Sequence, residues 1–175
     1  TLIHVLKKTP FSVWNCILFN MLFLPGLVVS LSATGTIVYT GNQTMSSTIN
    51  VNWGTITFDT GETTGTANFR IGDNSPSTNG TMNVINGANV YGRDFTVGSE
   101  GTGVLNINSG GDLTMTGNSS NVGGFLGGDS TSNGTINLDG SGSTLTVPLL
   151  TIAGLYGTGT VNITNGGVLT SSDEL

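Results

Sequence analysis

Gly103-Val104-Leu105-Asn106-Ile107-Asn108-Ser109-Gly110-Gly111 returns, lightly altered, as Gly159-Thr160-Val161-Asn162-Ile163-Thr164-Asn165-Gly166-Gly167. Its centre is an apolar-Asn-apolar triplet that occurs five times, as Ile49-Asn50-Val51, Met82-Asn83-Val84, Leu105-Asn106-Ile107, Ile136-Asn137-Leu138 and Val161-Asn162-Ile163. A Gly-Thr or Gly-x step precedes four of the five, at Gly80, Gly103, Gly134 and Gly159. The intervals between successive asparagines are 33, 23, 31 and 25 residues. Recurrence at a period of about 20 to 50 residues marks a solenoid or a propeller.

Around each triplet lie short β-prone runs separated by Gly, Asn, Asp and Ser, and nothing reads as a helix. One run follows the triplet, as in Asp112-Leu113-Thr114-Met115, Ser143-Thr144-Leu145-Thr146-Val147 and Val168-Leu169-Thr170. Another precedes it, as in Phe69-Arg70-Ile71-Gly72, Phe95-Thr96-Val97-Gly98 and Leu150-Thr151-Ile152-Ala153. Three short strands per unit suit one coil of a parallel β-helix. Alternate side chains of a strand face opposite ways, so Leu105 and Ile107 should point inward and Asn106 outward. Stacking at about 4.8 Å per coil then aligns Asn83, Asn106, Asn137 and Asn162 in an outer column able to hydrogen-bond from rung to rung. Glycines such as Gly110-Gly111 and Gly166-Gly167 are expected to take positive φ at the corners.

The expected fold is all-β: a right-handed, single-stranded parallel β-helix of about five to six coils over residues 34–175, with repeats clearest over 69–171. A four-stranded propeller blade wants about 40 to 50 residues, more than these intervals supply. A β-sandwich also shows alternating strands with frequent turns, but the recurring register of the triplets speaks against it. The two longer intervals are read as coils with loops, Asp73 to Asn79 and Asn118 to Ser132.

Residues 1–33 follow another pattern. Lys7 and Lys8 precede an apolar run from Phe11 to Leu31, broken by Pro25-Gly26, with Ser30-Leu31-Ser32-Ala33 at its exit. A basic start, an apolar centre and a small-residue exit describe a secretory signal peptide helix, with cleavage expected after Ala33. The competing reading is an uncleaved anchor, which Asn15, Asn20 and the Pro-Gly pair weaken. Cys16 follows Val13-Trp14-Asn15, which lacks the small residue expected before a lipid-modified cysteine.

Charged residues make up only 8% of the chain. After residue 33, ten acids face two cations, Arg70 and Arg93, for a net charge of −8. Such a surface repels phosphate backbones, so no nucleic-acid partner is expected. The same segment holds neither cysteine nor histidine, which removes thiolate chemistry and a disulfide framework.

The stretch from Val97 to Thr114 and the stretch from Ile152 to Thr170 are similar to the repeat of bacterial autotransporter (type V secretion) passenger domains, adhesin-like members among them. The resemblance is good over 69–171, weaker over 34–68, and is a repeat signature rather than an active-site one. It implies a passenger exported by its leader and carried over the outer membrane by a C-terminal translocator barrel, and hence a location at the cell surface, in the outer membrane or secreted. Low cysteine content suits a chain that threads a pore before folding. No barrel-forming stretch occurs before Leu175, so a fragment is expected, with an open, association-prone strand edge at its end. The implied partners are a host-cell or matrix receptor, or other copies of the chain. A passive stalk is the alternative role.

No catalytic, cofactor-binding or metal-binding residue is expected, and the protein is not read as an enzyme. Gly128-Asp129-Ser130 resembles a serine-protease motif, but hydroxyl activation of that kind needs a histidine within reach. A β-helical polysaccharide hydrolase needs two or three converging acids, and a lyase needs clustered carboxylates for calcium with an Arg or Lys base. Asp59, Asp73, Asp94, Glu100, Asp112, Asp129 and Asp139 fall about one per coil, mostly in turns, and Arg93-Asp94 reads as an exposed pair. No segment repeats the Gly-Gly-x-Gly-x-Asp calcium motif. Asn42, Asn79, Asn118, Asn133 and Asn162 sit in Asn-x-Ser/Thr, which a chain rich in these residues produces by chance. Trp53, Phe58, Phe69, Tyr91, Phe95, Phe125 and Tyr156 are expected as core stacks or end caps, with Phe125-Leu126 and Leu155-Tyr156 as candidate exposed contacts.

Overall fold

In the computed structural model, residues 29–31, 35–117, 122–152 and 156–172 are described, and they form eighteen strands. The order is the same in every coil. Coil one holds β1 (Val29–Leu31), β2 (Thr36–Thr40) and β3 (Gln43–Met45). Coil two holds β4 (Ile49–Val51), β5 (Trp53–Asp59) and β6 (Glu62–Gly65). Coil three holds β7 (Asn68–Ile71), β8 (Asn79–Ile85) and β9 (Asn89–Gly92). Coil four holds β10 (Asp94–Val97), β11 (Thr102–Asn108) and β12 (Asp112–Met115). Coil five holds β13 (Gly124–Leu126), β14 (Asn133–Asp139) and β15 (Thr144–Val147). Coil six holds β16 (Leu150–Ile152), β17 (Thr158–Thr164) and β18 (Val168–Ser171).

First strands pair only with first strands, second with second and third with third, giving three six-stranded sheets, here I, II and III. The pairings are parallel, as in β8 to β11 and β11 to β14. This is a parallel β-helix. Five steps of about 4.8 Å give a stack roughly 24 Å long.

The four Gly-preceded triplets lie directly above one another in sheet II, with Asn83, Asn106, Asn137 and Asn162 in register. The fifth does not. Asn50 belongs to sheet I, where β4 pairs with Phe69–Ile71, and the ladder position in coil two is filled by Thr57 of Ile56-Thr57-Phe58. Apolar-polar-apolar alternation describes any half-buried strand; it is the Gly step that specifies sheet II. A Cβ added at Gly103 would stand 2.3 Å from the Ile71 carbonyl oxygen, and one at Gly134 2.2 Å from that of Val97. The chain turns from sheet I into sheet II too tightly for a side chain there.

The expected loop from Asn118 to Ser132 contains a strand, β13, paired on both sides. Its alternation is hidden because Gly124 occupies an inward position already filled by Phe95, whose ring would meet a Cβ at 2.5 Å. The corner from sheet II to sheet III also differs in detail. Positive φ falls on Ser109 (53°) and Gly110 (81°), and on Asn165 (50°) and Gly166 (87°). The Gly111 and Gly167 amides close these turns onto the carbonyls of Asn108 and Thr164. Two left-handed residues inside such a bond are the type I′ arrangement.

Inward positions of all three sheets merge into one core. Phe58, Phe69, Phe95, Met82, Leu105, Ile107, Ile136 and Leu138 are essentially inaccessible. Aromatic packing concentrates in the first coils, where Tyr39 stacks on Phe58 (centroids 5.2 Å apart) and Phe69 meets Phe58 edge-on. At the other end, the core columns finish at Ile152 and Ile163, which are 40% and 48% exposed.

The leader expected over 1–33 lies outside the described residues except for Val29–Leu31. That apolar-Ser-apolar run pairs with Ile49–Val51 as the first strand of sheet I, so the stack takes in residues ahead of the boundary expected at 34.

Candidate binding surface

Sheet II carries the longest strands. Down its centre runs an unbroken side-chain ladder. Asn162 donates through Nδ2 to Oδ1 of Asn137 (2.8 Å), Asn137 to Asn106 (2.8 Å), and Asn106 to Asn83 (2.9 Å). The Asn83 amide donates to the Thr57 hydroxyl (3.0 Å). Every amide points the same way, toward the preceding coil, so each link polarises the next. Beside the ladder runs a column of Thr55, Thr81, Val104, Thr135 and Thr160. The face bears charge only along its edge toward sheet III, at Asp59 and Asp139.

Several of the acids are occupied as structural links. Asp59 accepts from Asn86 of the next coil (2.9 Å), and Asp112 accepts from Thr144 (2.6 Å). Asp139 accepts from the Thr164 hydroxyl and the Asn165 amide, both at 2.6 Å. The Thr164 hydroxyl and then the Asn165 amide hold the Asp139 carboxyl below its ordinary pKa, because they bond to the charged form. Asp73 caps the amide of Asn74. Among the described residues, no three His, Cys, Asp or Glu side chains gather in a metal-binding group. Gly128-Asp129-Ser130 lies in a turn closed by Ser132, whose hydroxyl donates to the Asp129 carbonyl.

Arg93 and Asp94 are not an exposed pair. The Asp94 side chain is 8% exposed, and its main partner is Arg70, whose Nη1 donates to Oδ1 at 2.7 Å. Arg93 reaches the other oxygen through Nε at 3.4 Å. The reason is register: Asp94 pairs with Asn68 and Thr96 with Arg70. On strands alternating in and out, these four side chains form a square on the outer face of sheet I, bridged across its diagonal by the ion pair. Arg93 enters from the turn before β10. Two cations against one carboxylate leave the square at +1 in an otherwise acidic chain.

The other two corners are unusual. Asn68 Oδ1 and Thr96 Oγ1 are, among the described residues, the buried side-chain atoms that lack a hydrogen-bond partner. An unmet buried polar group costs roughly 1 to 3 kcal/mol. Neither residue stood out in the sequence, since each is the polar member of an ordinary alternating strand.

Of the aromatics, Phe58, Phe69 and Phe95 are core, whereas Tyr91 and Tyr156 are 36% and 74% exposed. Phe125 is half-buried on the outer face of sheet I, and its neighbour Leu126 is fully inside. Leu155 lies outside the described residues, as does the structure around Asn118. Two of the Asn-x-Ser/Thr amide groups are engaged: Asn42 caps the Glu62 amide, and Asn162 is in the ladder.

No family model matches the chain, and no solved structure matches it. Over 80 residues, 46% of this chain, it is 43% identical to a protein of Escherichia coli strain K12 described as the uncharacterized lipoprotein YdeK. The match spans 6% of that protein's length.

Proposed function

We propose that this chain is a segment of an exported bacterial surface β-helix that acts, without catalysis, in adhesion to a host-cell or matrix receptor or in self-association. The observation that carries the reading is the outer face of sheet II, polar and nearly uncharged, in unbroken register from coil two to coil six. A face of about 20 by 24 Å is below the roughly 800 Å² per partner of a stable standard interface. It suits weak contacts that gain strength through many copies on one surface. A cell-envelope location is supported by the signal-like composition of residues 1–33 and by the relative described as a lipoprotein. Export as an autotransporter passenger, with a C-terminal translocator barrel, belongs to the proposal through the resemblance of the repeats. A passive stalk is the second reading, favoured by the ladder asparagines bonding to one another.

Cells displaying the chain are compared with cells displaying a Thr81→Lys, Thr135→Lys variant, whose changes lie beside the ladder. Adhesion or aggregation should fall at equal display, even though the added lysines lower the net negative charge. Display of the unaltered chain with neither adhesion nor aggregation would leave the stalk reading in place.

A further inference from the structure

We propose that the chain dimerises through the coil-six end of the stack, β17 of one copy pairing antiparallel with β17 of a second copy about Val161. This gives self-association a surface other than the outer face of sheet II, and does not rest on that face.

The end is open. Among the described strands, β16, β17 and β18 pair on one side alone. Their inward side chains continue the core columns, Ile152 after Leu126 and Ile163 after Leu138. Leu126 and Leu138 are fully covered, whereas Ile152 and Ile163 are 40% and 48% exposed, and Val161 and Leu169 are only partly buried. Coil one is better covered: Tyr39 and Met45 are 3% and 1% exposed, and Ile37 is partly buried. Its ladder position is Val38, in register with Thr57, which has no side-chain donor to continue the ladder from Asn162. Coil six of one copy on coil one of the next is therefore a poor match.

Coil six on coil six is a good one. In a strand the N–H and C=O of one residue point to one side, and those of the next residue to the other. The Thr158 amide donates back to Ser132, and the Thr164 carbonyl accepts from Gly140. Gly159, Val161 and Ile163 accordingly turn their backbone groups toward the open end. An antiparallel pair forms its bonds at alternate facing positions. Centred on Val161, it sets Val161 against its own copy and Gly159 against Ile163, and each facing pair can exchange two backbone bonds.

The same register matches the side chains. Large, inward Ile163 meets Gly159, which has none, and outward Asn162 meets Thr160. Asn162 donates through Nδ2 to Asn137, leaving its Oδ1 as the open acceptor of the ladder, and a threonine hydroxyl is a donor for it. A two-fold axis through Val161 also lays β16 against β18 of the other copy, so Ile152 and Leu169 cover one another. Such a contact closes at two copies, whereas a head-to-tail contact runs on into fibres. Main-chain bonds supply the affinity, as in other strand additions. The end is smaller than the roughly 800 Å² per partner of a standard interface, so micromolar association is expected.

The test is sedimentation velocity on the purified chain from about 1 to 300 µM, the range in which a contact of this size dissociates. Monomer should exchange with dimer, with no larger species. Ile163→Lys should weaken the dimer at least tenfold. Val38→Lys at the coil-one end, and Thr81→Lys, Thr135→Lys on the sheet II face, should leave it unchanged. Register is read separately by oxidising a mixture of Thr160→Cys and Asn162→Cys chains, each also carrying Cys16→Ser. The mixed disulfide should form faster than either homodimer, because only that pair stands face to face. Monomer at every concentration, species that lengthen with concentration, loss of the dimer in Val38→Lys, or equal cross-linking in all combinations would each overturn the inference. Monomer throughout, with adhesion by displaying cells intact, would remove the end contact and leave the sheet II reading standing.

Discussion

Replacing Asn106 by Ala removes the middle of the sheet II ladder. Asn106 donates to Asn83 at 2.9 Å and accepts from Asn137 at 2.8 Å, so two side-chain bonds are lost and two neighbours left unmatched on one side. A net contribution of about 1 kcal/mol per bond gives a cost of roughly 2 kcal/mol. Partial exposure lets water recover some of it, whereas cooperativity along the ladder adds to it. Asn162 stands at the exposed end and makes one such bond, so Asn162→Ala should cost about half as much, near 1 kcal/mol. Strand propensity does not confound the comparison, because Asn and Ala are both disfavoured in strands. The assay is urea unfolding followed by circular dichroism, with the slope checked so that a change of midpoint reads as a change of stability. Equal losses for the two variants, or a loss below about 0.5 kcal/mol for Asn106→Ala, would refute the claim that the amide column helps hold coil to coil.

Three further outcomes follow from the geometry. Burial pushes the Tyr39 hydroxyl from 10.0 up to about 12; its folded value is raised, so the stabilisation is present below pH 10 and lost as pH rises toward 12. That interval corresponds to about 2.7 kcal/mol at 1.36 kcal/mol per unit, and Tyr39→Phe should flatten the fall in urea midpoint between pH 9 and 12. Asp139 has the opposite sign: its folded value is lowered, so its contribution is present above the ordinary carboxylate range and lost as pH falls through the folded value. Protection of the Thr164 to Gly166 amides, taken relative to intrinsic exchange at each pH, should fall at low pH, and Asp139→Ala should lower that protection at neutral pH too. Gly103→Ala sets a Cβ 2.3 Å from the Ile71 carbonyl oxygen and should cost at least the roughly 1 to 3 kcal/mol of an overpacked site. Gly87→Ala, at φ +75° with open space around it, should cost about 1 to 2 kcal/mol, and a reversed order in thermal unfolding would contradict the close approach at Gly103.

The coil, its three strands and the asparagine column were all legible in the residues. Alternation at Leu105-Asn106-Ile107 sets in and out, and repetition of Gly-x before the triplet sets which sheet. These signals are local, and stacking multiplies them, because each coil repeats the same demand on its neighbours. Ile49-Asn50-Val51 shows their limit: it satisfies the alternation but lacks the Gly step, and only pairing with Phe69–Ile71 assigns it to sheet I. Gly124-Phe125-Leu126 shows the converse, a strand whose inward glycine is explained by a phenylalanine one coil away.

The square on sheet I depended on tertiary structure altogether. Asn68, Arg70, Asp94 and Thr96 meet because β7 and β10 pair residue for residue, and that pairing joins Arg70 to a carboxylate 24 positions further along the chain. Composition established that this chain has two cations after its leader-like segment, and adjacency in the chain put Arg93 beside Asp94; side-by-side stacking of coils brought Arg70 to the same aspartate, because register fixes lateral neighbours that linear spacing leaves open.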